Sequence, residues 1–384
     1  MKVLHRIKCE LGKVALQLGI PSLALPLLVP AAEAGDAETQ LVVGLTYGKA
    51  SPPNYAEAIP WLQKSADQRN SGAQRAMGIA YANGLGVSRD RALAAKWYRS
   101  AAEQGDSLAQ IQLGRMCIMG DGTVQDYAEA FKWLSQRSHQ GDATVQSMLG
   151  WMYQNGNGVE KNLSEAKKWY QRAAAQGAAD AQTSLGNILE LGVERDYAGA
   201  LKWYQLAAKQ KNHVAEYNLG RMTQNGLGIE KDLVAAARWY RAAAEGGYPP
   251  AQFHLAVMLS NGSGVAQSLG EAAQWYERAA KQGDASASTN IGVFYKRGTG
   301  VKQDYSYALA YLLKAAEANQ PIADFHLGEM YERGLGVDRD QSAAINRYQR
   351  AASGGIEEAK ARLKALGAPL VSADNPVWTA RLQT

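Results

Sequence analysis

Small, apolar and polar positions recur along this 384-residue chain with a period of 36 residues. An aromatic anchor marks the period, and successive anchors are 36 residues apart except for one interval of 34. The anchor positions are Trp61, Trp97, Trp133, Trp169, Trp203, Trp239, Trp275, Tyr311 and Arg347. Self-similarity at a fixed period of this length is the signature of stacked repeats. The chain is therefore predicted to hold nine repeats between about residues 36 and 355.

A helix that carries the anchor is predicted in every repeat. Seven residues before the anchor lies a short polar side chain that can accept hydrogen bonds from the free amides of a helix start. These predicted N-caps are Asn54, Asp90, Asp126, Asn162, Asp196, Asp232, Ser268, Asp304 and Asp340. Capping boxes are predicted where a glutamate follows three residues later, at Glu57, Glu129, Glu165 and Glu271. The helix should end at a left-handed residue, at Gly105, Gly141, Gly177, Gly247, Gly283, Gly355 or Asn319.

A second periodic stretch predicts another helix before each anchor helix. A small residue is followed four positions later by Met, Leu or Ile and then directly by Gly or Ala, as in Ala109, Leu113 and Gly114. These offsets lie on one side of a helix. Because interior glycine costs helix stability, its recurrence predicts that two backbones lie in close contact, with the anchor tryptophans filling the core.

The two helices and their Gly-x-Gly-Val connection form a hairpin that cannot bury both faces alone, so each hairpin must stack on the next. The predicted fold is all-α, a right-handed α-solenoid superhelix of about nine helix-turn-helix repeats of 36 residues. Residues Glu357 to Leu366 are predicted to form a capping helix, and residues 367–384 fit no repeat.

The repeated motif resembles that of a known family. Ala-x-x-x-Leu-Gly-x-x-Tyr, Gly-x-Gly-Val, Asp, Ala, Trp-Tyr, Ala-Ala and Gln-Gly, repeated over roughly 320 residues, are similar to the Sel-1-like repeat, a relative of the tetratricopeptide repeat. The resemblance implies a scaffold that binds a protein or peptide, as members do in bacterial signalling, secretion and host contact. A cysteine-rich bacterial branch with reported penicillin binding has disulfide-linked helices, which this chain, with two cysteines, does not match.

The first 34 residues form a separate segment. A basic start, an apolar run over residues 14–30 and small residues around Glu33 predict a secretory signal peptide cleaved before Gly35. The alternative is a retained membrane anchor, although three prolines interrupt the run and it is marginal against the roughly 20 apolar residues of a span. The predicted domains are residues 1–34 (signal peptide), 35–366 (repeat solenoid with its capping helix) and 367–384 (tail). Export to the bacterial periplasm is expected, with secretion as the alternative.

Composition and charge narrow the class of partner. The chain is 46% hydrophobic and 20% charged, which is a globular composition. The net charge of +5 is spread among neighbours of mixed sign, so nucleic acid is not an expected partner. Membrane contact is expected only through the signal segment before its cleavage. Self-association remains open, because the sequence does not fix an oligomeric state.

No constellation of residues predicts catalysis, a metal or a cofactor. His254 and His326 occupy equivalent positions two repeats apart, which separates them, so surface or groove positions are expected rather than metal ligation. Ser164 and Lys167 match the Ser-x-x-Lys of penicillin-binding enzymes without their other triplets. The predicted function is a non-enzymatic protein-interaction scaffold. The alternative, β-lactam or muropeptide binding or hydrolysis, depends on Ser164 alone.

A binding surface is predicted where the repeats differ. In the first helix of each repeat, the residues one before and two after the leucine vary, and by analogy with tetratricopeptide proteins they line the concave face. The predicted surface consists of Gln112, Arg115, Met148, Trp151, Asn187, Asn218, Arg221, His254, Asn290, His326 and Glu329. Trp151 and Trp378 lie outside the repeat pattern and are further candidates for surface contact. The alternative is a solvated groove with binding elsewhere.

Overall fold

The computed structural model describes residues 2–136 and 141–370, which form 21 α-helices and no β-strand. The chain divides into two compact units, Met1–Ala181 and Gln182–Thr384. The first unit contains α1 (Lys2–Gln17), α2 (Pro21–Glu33), α3 (Ala37–Gly48), α4 (Tyr55–Asp67), α5 (Ser71–Asn83), α6 (Arg91–Glu103), α7 (Ser107–Met119), α8 (Tyr127–Ser135), α9 (Ala143–Asn155) and α10 (Leu163–Ala175). Helix α11 (Ala179–Leu191) begins in the first unit and ends in the second.

The second unit continues in the same way. Its helices are α12 (Tyr197–Ala208), α13 (His213–Asn225), α14 (Leu233–Glu245), α15 (Pro249–Asn261), α16 (Leu269–Lys281), α17 (Ala285–Arg297), α18 (Tyr305–Glu317), α19 (Pro321–Arg333), α20 (Gln341–Ser353) and α21 (Glu357–Ala365). Within the described part of the chain, no helix is both long and apolar enough to span a bilayer.

Consecutive helices pack in the order that stacked hairpins require. In the first unit α3 packs on α4, α5 on α6, α7 on α8 and α9 on α10, and α4 and α6 also pack on the helix that follows them. In the second unit α13 packs on α14, α15 on α16, α17 on α18 and α19 on α20, and α14, α16 and α18 contact the next hairpin. The prediction of an all-α solenoid is confirmed. The odd-numbered helices α3 to α19 are called first helices below, and the even-numbered helices α4 to α20 second helices.

The predicted starts of the second helices are confirmed. All nine caps accept a hydrogen bond from an amide two or three residues on, as Asp90 does from the Leu93 amide at 2.9 Å. The four predicted capping boxes are wrong in their second half, because each cap amide donates instead to a carbonyl near the end of the preceding first helix, at Tyr47, Cys117, Tyr153 and Leu259. The carboxylates of Glu129 and Glu271 accept from an arginine and from a tryptophan indole. Since the cap amide already has a carbonyl partner, the glutamate is left to accept from other donors.

The Gly-x-Gly connection packs closely against the preceding repeat. Gly84 ends α5 with φ of 73°, and Gly86 has φ of 71°. A Cβ atom at Gly86 would lie 2.9 Å from the carbonyl oxygen of Tyr55, the first residue of the preceding second helix. A side chain there would therefore meet both a steric clash and an unfavourable left-handed backbone. The glycines bring each connection against the neighbouring repeat, and the connection follows a helix as predicted.

The core lies one residue beyond the predicted anchor. Trp133 and Trp275 are buried, but the other five anchor tryptophans are half-buried. The following residue is buried instead, at Leu62, Tyr98, Leu134, Tyr170, Tyr204, Tyr240, Tyr276, Leu312 and Tyr348. Its ring or branched end packs on the glycine of the first helix, and a Cβ atom at Gly78 would lie 2.8 Å from Tyr98 Cδ1. The recurring glycine therefore makes room mainly for a side chain, whereas close backbone contact was predicted.

Buried glutamines link successive hairpins, a feature that the sequence did not predict. Gln252 in α15 donates to the carbonyl of Ala244 at the end of α14 (3.2 Å) and accepts from Gln282 after α16 (2.8 Å). The same glutamine-to-carbonyl bond occurs at Gln40, Gln74 and Gln110. The glutamine gives the carbonyl a second hydrogen bond, since the Ala244 carbonyl also accepts from the Gly247 amide at 3.0 Å, and the glutamine is itself bonded by the next helix end.

In the eighth and ninth repeats, which lack this glutamine, a lysine or an arginine donates a hydrogen bond to the equivalent carbonyl. Lys314 Nζ donates to the Ala280 carbonyl at 2.6 Å, and Arg350 donates to the Ala316 carbonyl at 2.9 Å. Asp324 replaces the glutamine in the ninth repeat and pairs with Arg350 and with Arg347, at 3.1 and 2.8 Å. The arginine at the ninth anchor position is therefore explained by its buried carboxylate partner.

Both ends of the described chain pack on the repeats. At the C-terminal end, α21 buries Ala359 and Leu363 as predicted for a capping helix. At the N-terminal end, α1 packs on α2 and α2 on α3, with Leu28 against Gly12 and the Ala32 carbonyl accepting from Gln40 at 2.8 Å. Residues 31–36, Ala-Ala-Glu-Ala-Gly-Asp, differ from residues 101–106 at one position. Cleavage before Gly35 stays a prediction. Residues 371–384 of the predicted tail, with Trp378, lie outside the described residues.

Candidate functional site

In the first unit, the predicted surface residues lie on α7 and α9. Arg115 is exposed, while Gln112, Met148 and Trp151 are half-buried. Met148 and Trp151 pack at the edge of the core, and the Trp151 ring lies 5.9 Å from that of Tyr127 at an angle of 57°. This part of the predicted surface combines an accessible cation with apolar side chains that keep some exposed area. Such a combination suits contact with a polypeptide.

In the second unit, three of the predicted residues form an internal polar cluster. Asn187 accepts from Asn218 at 3.0 Å and from the Tyr204 hydroxyl at 2.6 Å. The same hydroxyl oxygen lies 3.0 Å from Glu190 Oε2, so its single proton is shared between the two acceptors. Arg221 donates to both Glu190 oxygens at 2.5 Å. Glu190 and Tyr204, which sequence reasoning missed, are therefore the centre of the cluster.

The Arg221–Glu190 pair is an internal ion pair that joins α11 to α13. Glu190 is 2% exposed, so its charge requires the guanidinium. Removing one partner of such a pair leaves an uncompensated charge and typically costs about 3–5 kcal/mol. Burial, followed by the charge of Glu190, raises the pKa of Tyr204, so its hydroxyl remains a donor at neutral pH. Arg221 consequently supports the fold between these two helices.

His254 lies in an aromatic cluster. Its ring stacks on Tyr240, with centroids 5.2 Å apart and an angle of 12°. Its Nε2 atom lies 3.3 Å from the Tyr217 hydroxyl. Burial lowers the pKa of His254, which favours the neutral imidazole at pH 7. His254 is half-buried, so part of its ring remains available to a partner.

His326 and Glu329 belong to a second polar cluster, with Lys296 of α17. Glu329 Oε2 lies 2.9 Å from His326 Nδ1 and 2.5 Å from Lys296 Nζ. The hydrogen bond from His326 and then that from Lys296 hold the pKa of Glu329 at about 2, against the opposing effect of burial. Burial lowers the pKa of both Lys296 and His326. The carboxylate is therefore the shared partner of two buried nitrogen groups.

The structure shows that some of the predicted surface residues are buried and therefore not available to a partner. Asn218 and His326 are each 8% exposed, so His326 does not occupy the surface or groove position expected for it. Asn187, Asn290 and Glu329 are half-buried. Burial could not be read from the sequence because Asn218 bonds Asn187 and His326 contacts Lys296, and these partners lie in helices of neighbouring repeats. Arg115 is the exposed direct-contact candidate, and Trp151 and His254 are among the half-buried ones that keep part of their surface accessible.

No chemistry beyond binding is indicated in the described residues. Among them, no group of three His, Cys, Asp or Glu side chains could hold a metal ion. Ser164 is exposed in the first turn of α10, two residues after its cap Asn162. Serine is ordinary at such a position because its short polar side chain suits a helix start. Its place in the fold is explained without a catalytic role.

Hairpins of antiparallel helices that repeat every 34 or 36 residues and bury shared faces define a helical-repeat protein of the tetratricopeptide type. The comparison with protein families is more specific. A family model for the Sel1 repeat matches nine segments, residues 37–70, 71–106, 107–142, 143–177, 179–212, 213–248, 249–284, 285–320 and 321–356. The chain therefore belongs to the Sel1 repeat family, and the predicted number of repeats is confirmed.

Two solved structures are similar over most of the chain. One is c5321, described as a protective antigen of uropathogenic Escherichia coli with this repeat fold. The two sequences are 32% identical. The match covers 96% of this chain and 81% of c5321, with a TM-score of 0.75. The other is a Sel1 repeat protein from Oxalobacter formigenes, 33% identical, covering 85% of this chain and 93% of its own, with a TM-score of 0.59. No curated protein matched the chain. Sel1 repeat proteins are generally protein-interaction scaffolds and typically lack enzymatic activity.

Proposed function

We propose that this protein is a non-enzymatic scaffold or adaptor that binds a partner protein or peptide along the variable side of its first helices. The observation that carries the proposal is a difference in burial between the recurring and the variable positions of the repeats. The positions that recur, such as Leu113 and Gly114, are buried, whereas the variable position at Arg115 is exposed. Sequence variation on an accessible face of a regular scaffold is the usual source of partner specificity.

The setting that we propose is the bacterial cell envelope, in signalling, secretion or host interaction. Its support is the signal-like N-terminal segment and the similarity to an antigen of uropathogenic Escherichia coli. Export predicts a mature protein that begins at Gly35. Intact-mass measurement of the protein recovered from the periplasm checks this, and a mass that includes residues 1–34 would contradict it.

The binding surface is tested by site-specific crosslinking. A photoreactive amino acid at position 115 should crosslink to a defined partner in intact cells, whereas one at Lys96, exposed on the second helix α6, should not. Mass spectrometry then identifies the partner. Equal crosslinking from the two positions would count against the first-helix surface.

The purified partner allows a quantitative test. Because Arg115 and Trp151 offer charge and apolar area without an internal ion pair, Arg115→Glu with Trp151→Ala should weaken binding at least about tenfold, or about 1.4 kcal/mol. Circular dichroism should show unchanged helicity. Arg221 is kept, because its loss would damage the fold and confuse the result. Unchanged affinity would remove this surface from consideration.

A further inference from the structure

An intramolecular ion pair recurs between the second helices of successive repeats. Arg99 of α6 pairs with Glu129 of α8, with 3.0 Å between Nη2 and Oε2, and Trp133 Nε1 donates to the same carboxylate at 3.2 Å. In the second unit, Arg241 of α14 pairs with Glu271 of α16 at 2.6 Å, and Trp275 Nε1 donates at 3.2 Å. The arginine lies nine residues after its helix cap and the glutamate three residues after the next cap. The chain thus contains two copies of one arrangement, Arg–Glu–Trp.

Where the seventh repeat meets the eighth, different residues occupy the same three positions. Glu277 replaces the arginine, Tyr307 the glutamate and Tyr311 the tryptophan. Tyr295 of α17 stands at the position that Cys117 occupies beside Glu129. The charge of the first position is therefore reversed, and three aromatic rings meet where the other copies have one. These four residues are called the tyrosine site below.

The rings of the tyrosine site are close to parallel. The centroids of Tyr295 and Tyr307 lie 5.1 Å apart at an angle of 23°, and those of Tyr295 and Tyr311 lie 6.0 Å apart at 4°. The Tyr311 hydroxyl donates to Glu277 Oε1 at 3.2 Å, which fixes the carboxylate beside the rings. Burial, with a further contribution from Glu277, raises the pKa of Tyr311, so this hydroxyl stays protonated.

The tyrosine site is accessible and electron-rich. Tyr307 is 55% exposed, and the Glu277 side chain is 30% exposed. Lys281 pairs with Glu277 at 3.1 Å, but its side chain is 66% exposed, so the pair contributes little and can exchange with another cation. Aromatic faces attract cations, and a carboxylate accepts two parallel hydrogen bonds from a guanidinium.

We propose that the tyrosine site, where the seventh repeat meets the eighth, binds an arginine side chain of a partner peptide. The guanidinium stacks on the exposed Tyr307 ring and donates to Glu277. The partner's arginine thereby supplies the kind of charge that Arg99 and Arg241 supply within the chain in the other two copies. Arginine fits better than lysine, because its planar group can stack and bind bidentately at once. The proposal deepens the proposed function by giving the chemistry of one partner residue at a place outside the predicted first-helix surface.

The direct test uses a defined probe. A fluorescein-labelled ten-residue Gly/Ser peptide with two arginines is titrated with the purified protein and followed by fluorescence anisotropy. The control peptide carries citrulline, which keeps the planar shape but not the charge, and a third peptide carries lysine. We expect the citrulline peptide to bind at least about tenfold more weakly than the arginine peptide and the lysine peptide to be intermediate. Equal binding of arginine and citrulline peptides would overturn the proposal.

A matched variant converts the site into the arrangement of the other copies. Glu277→Arg with Tyr307→Glu should form the internal Arg–Glu pair seen in the third and seventh repeats, keep the fold and lose at least about tenfold in affinity for the arginine peptide. Val234→Ala, at an exposed apolar position of α14, is the control and should bind as the unmodified protein does. Unchanged affinity of the double variant would place the peptide elsewhere and refute the site. Because the probe is a defined peptide, failure here leaves the crosslinking test at position 115 unaffected.

Discussion

At the scale of single residues, a side chain at a position that varies between repeats can either make contacts inside the fold or be exposed on the surface. Arg115 and Arg221 occupy equivalent positions in first helices, but Arg115 is exposed and Arg221 pairs with the buried Glu190. The difference arises from the neighbour on the preceding first helix. The variable columns therefore mix contact residues with residues that hold adjacent repeats together.

Glu329 gives a prediction of pH dependence at this scale. Its folded pKa of about 2 lies below the ordinary 4.5, so its contribution to stability is fully present above about pH 4.5 and is lost as the pH falls toward 2. The groups that interact with it are His326, Lys296 and Tyr348, and Arg297 and Arg333 act on Lys296. After discounting for its partial exposure, Glu329→Gln should lower the free energy of unfolding by about 1–2 kcal/mol at pH 7. The difference from the unmodified protein should decrease steadily below pH 4.5, be clearly smaller at pH 2.5 than at pH 7, and vanish only below the folded pKa of about 2.

Urea unfolding followed by circular dichroism between pH 2.5 and 7 measures this difference. Glu317→Gln, at an exposed position of α18, is the control and should change stability by less than about 0.5 kcal/mol at every pH. A destabilisation by Glu329→Gln that stayed constant down to pH 2.5 would contradict the assigned role of the ionised carboxylate.

At the scale of helices, hydrogen bonds between helix ends complement the apolar packing. A helix leaves its last carbonyls without partners in the helix, and stacking buries some of them. Those near the helix end accept from an amide of the following turn, and buried glutamines on the next first helix add a second hydrogen bond in several repeats, as lysine or arginine does in the eighth and ninth. The Gln-Gly end of the repeat motif is therefore partly an interhelical contact.

Replacing Gln252 tests this link. Gln252 is 3% exposed, and methionine has a similar length without polar groups. Gln252→Met removes two hydrogen bonds, the one to the Ala244 carbonyl and the one from Gln282, so we expect a loss of about 1–3 kcal/mol in unfolding free energy although the carbonyl keeps its bond from the Gly247 amide. Gln282→Met, at the exposed end of the same pair, should cost less than about 1 kcal/mol. Equal losses in urea unfolding would show that burial of the link does not matter.

At the scale of the whole molecule, the repeats are modular because contacts are mostly between neighbours in the chain. The second glycine of a Gly-x-Gly connection packs on the preceding second helix, as Gly86 does on Tyr55, and the link glutamines Gln74 and Gln110 bond the preceding helix end. A complete repeat can therefore be removed if the new neighbours carry equivalent residues. Stability then behaves as a sum of repeat and interface contributions.

Deletion of residues 71–106 tests modularity. It removes one matched segment and joins Asn70 to Ser107, so that Asn70, which caps α5, becomes the cap of α7. Gln110 can then reach the Ala66 carbonyl as Gln74 does. We expect cooperative thermal unfolding and the same helicity per residue by circular dichroism. Deletion of residues 71–88, half a repeat, is the control and should abolish cooperative unfolding. Similar behaviour of the two deletions would contradict modular packing.

The helices and their order could be predicted from the sequence, because the signals for them are local. Caps such as Asp90, end residues such as Gly105 and the 36-residue period act within one or two turns of a helix. The candidate site was predicted less well. The sequence placed His326 and Asn218 on a binding surface, and their burial depends on neighbouring helices.

The amino-acid sequence by itself determined the all-α class, the number of repeats, the helix starts and the positions of glycine and small residues. These follow from backbone geometry and from a periodicity that any one repeat displays. The tertiary structure decided which aromatic fills the core, which polar residues are internal and where Glu277 meets Tyr295, Tyr307 and Tyr311. Such contacts join residues about 10 to 35 positions apart, and whether two side chains meet over that distance depends on how the hairpins stack.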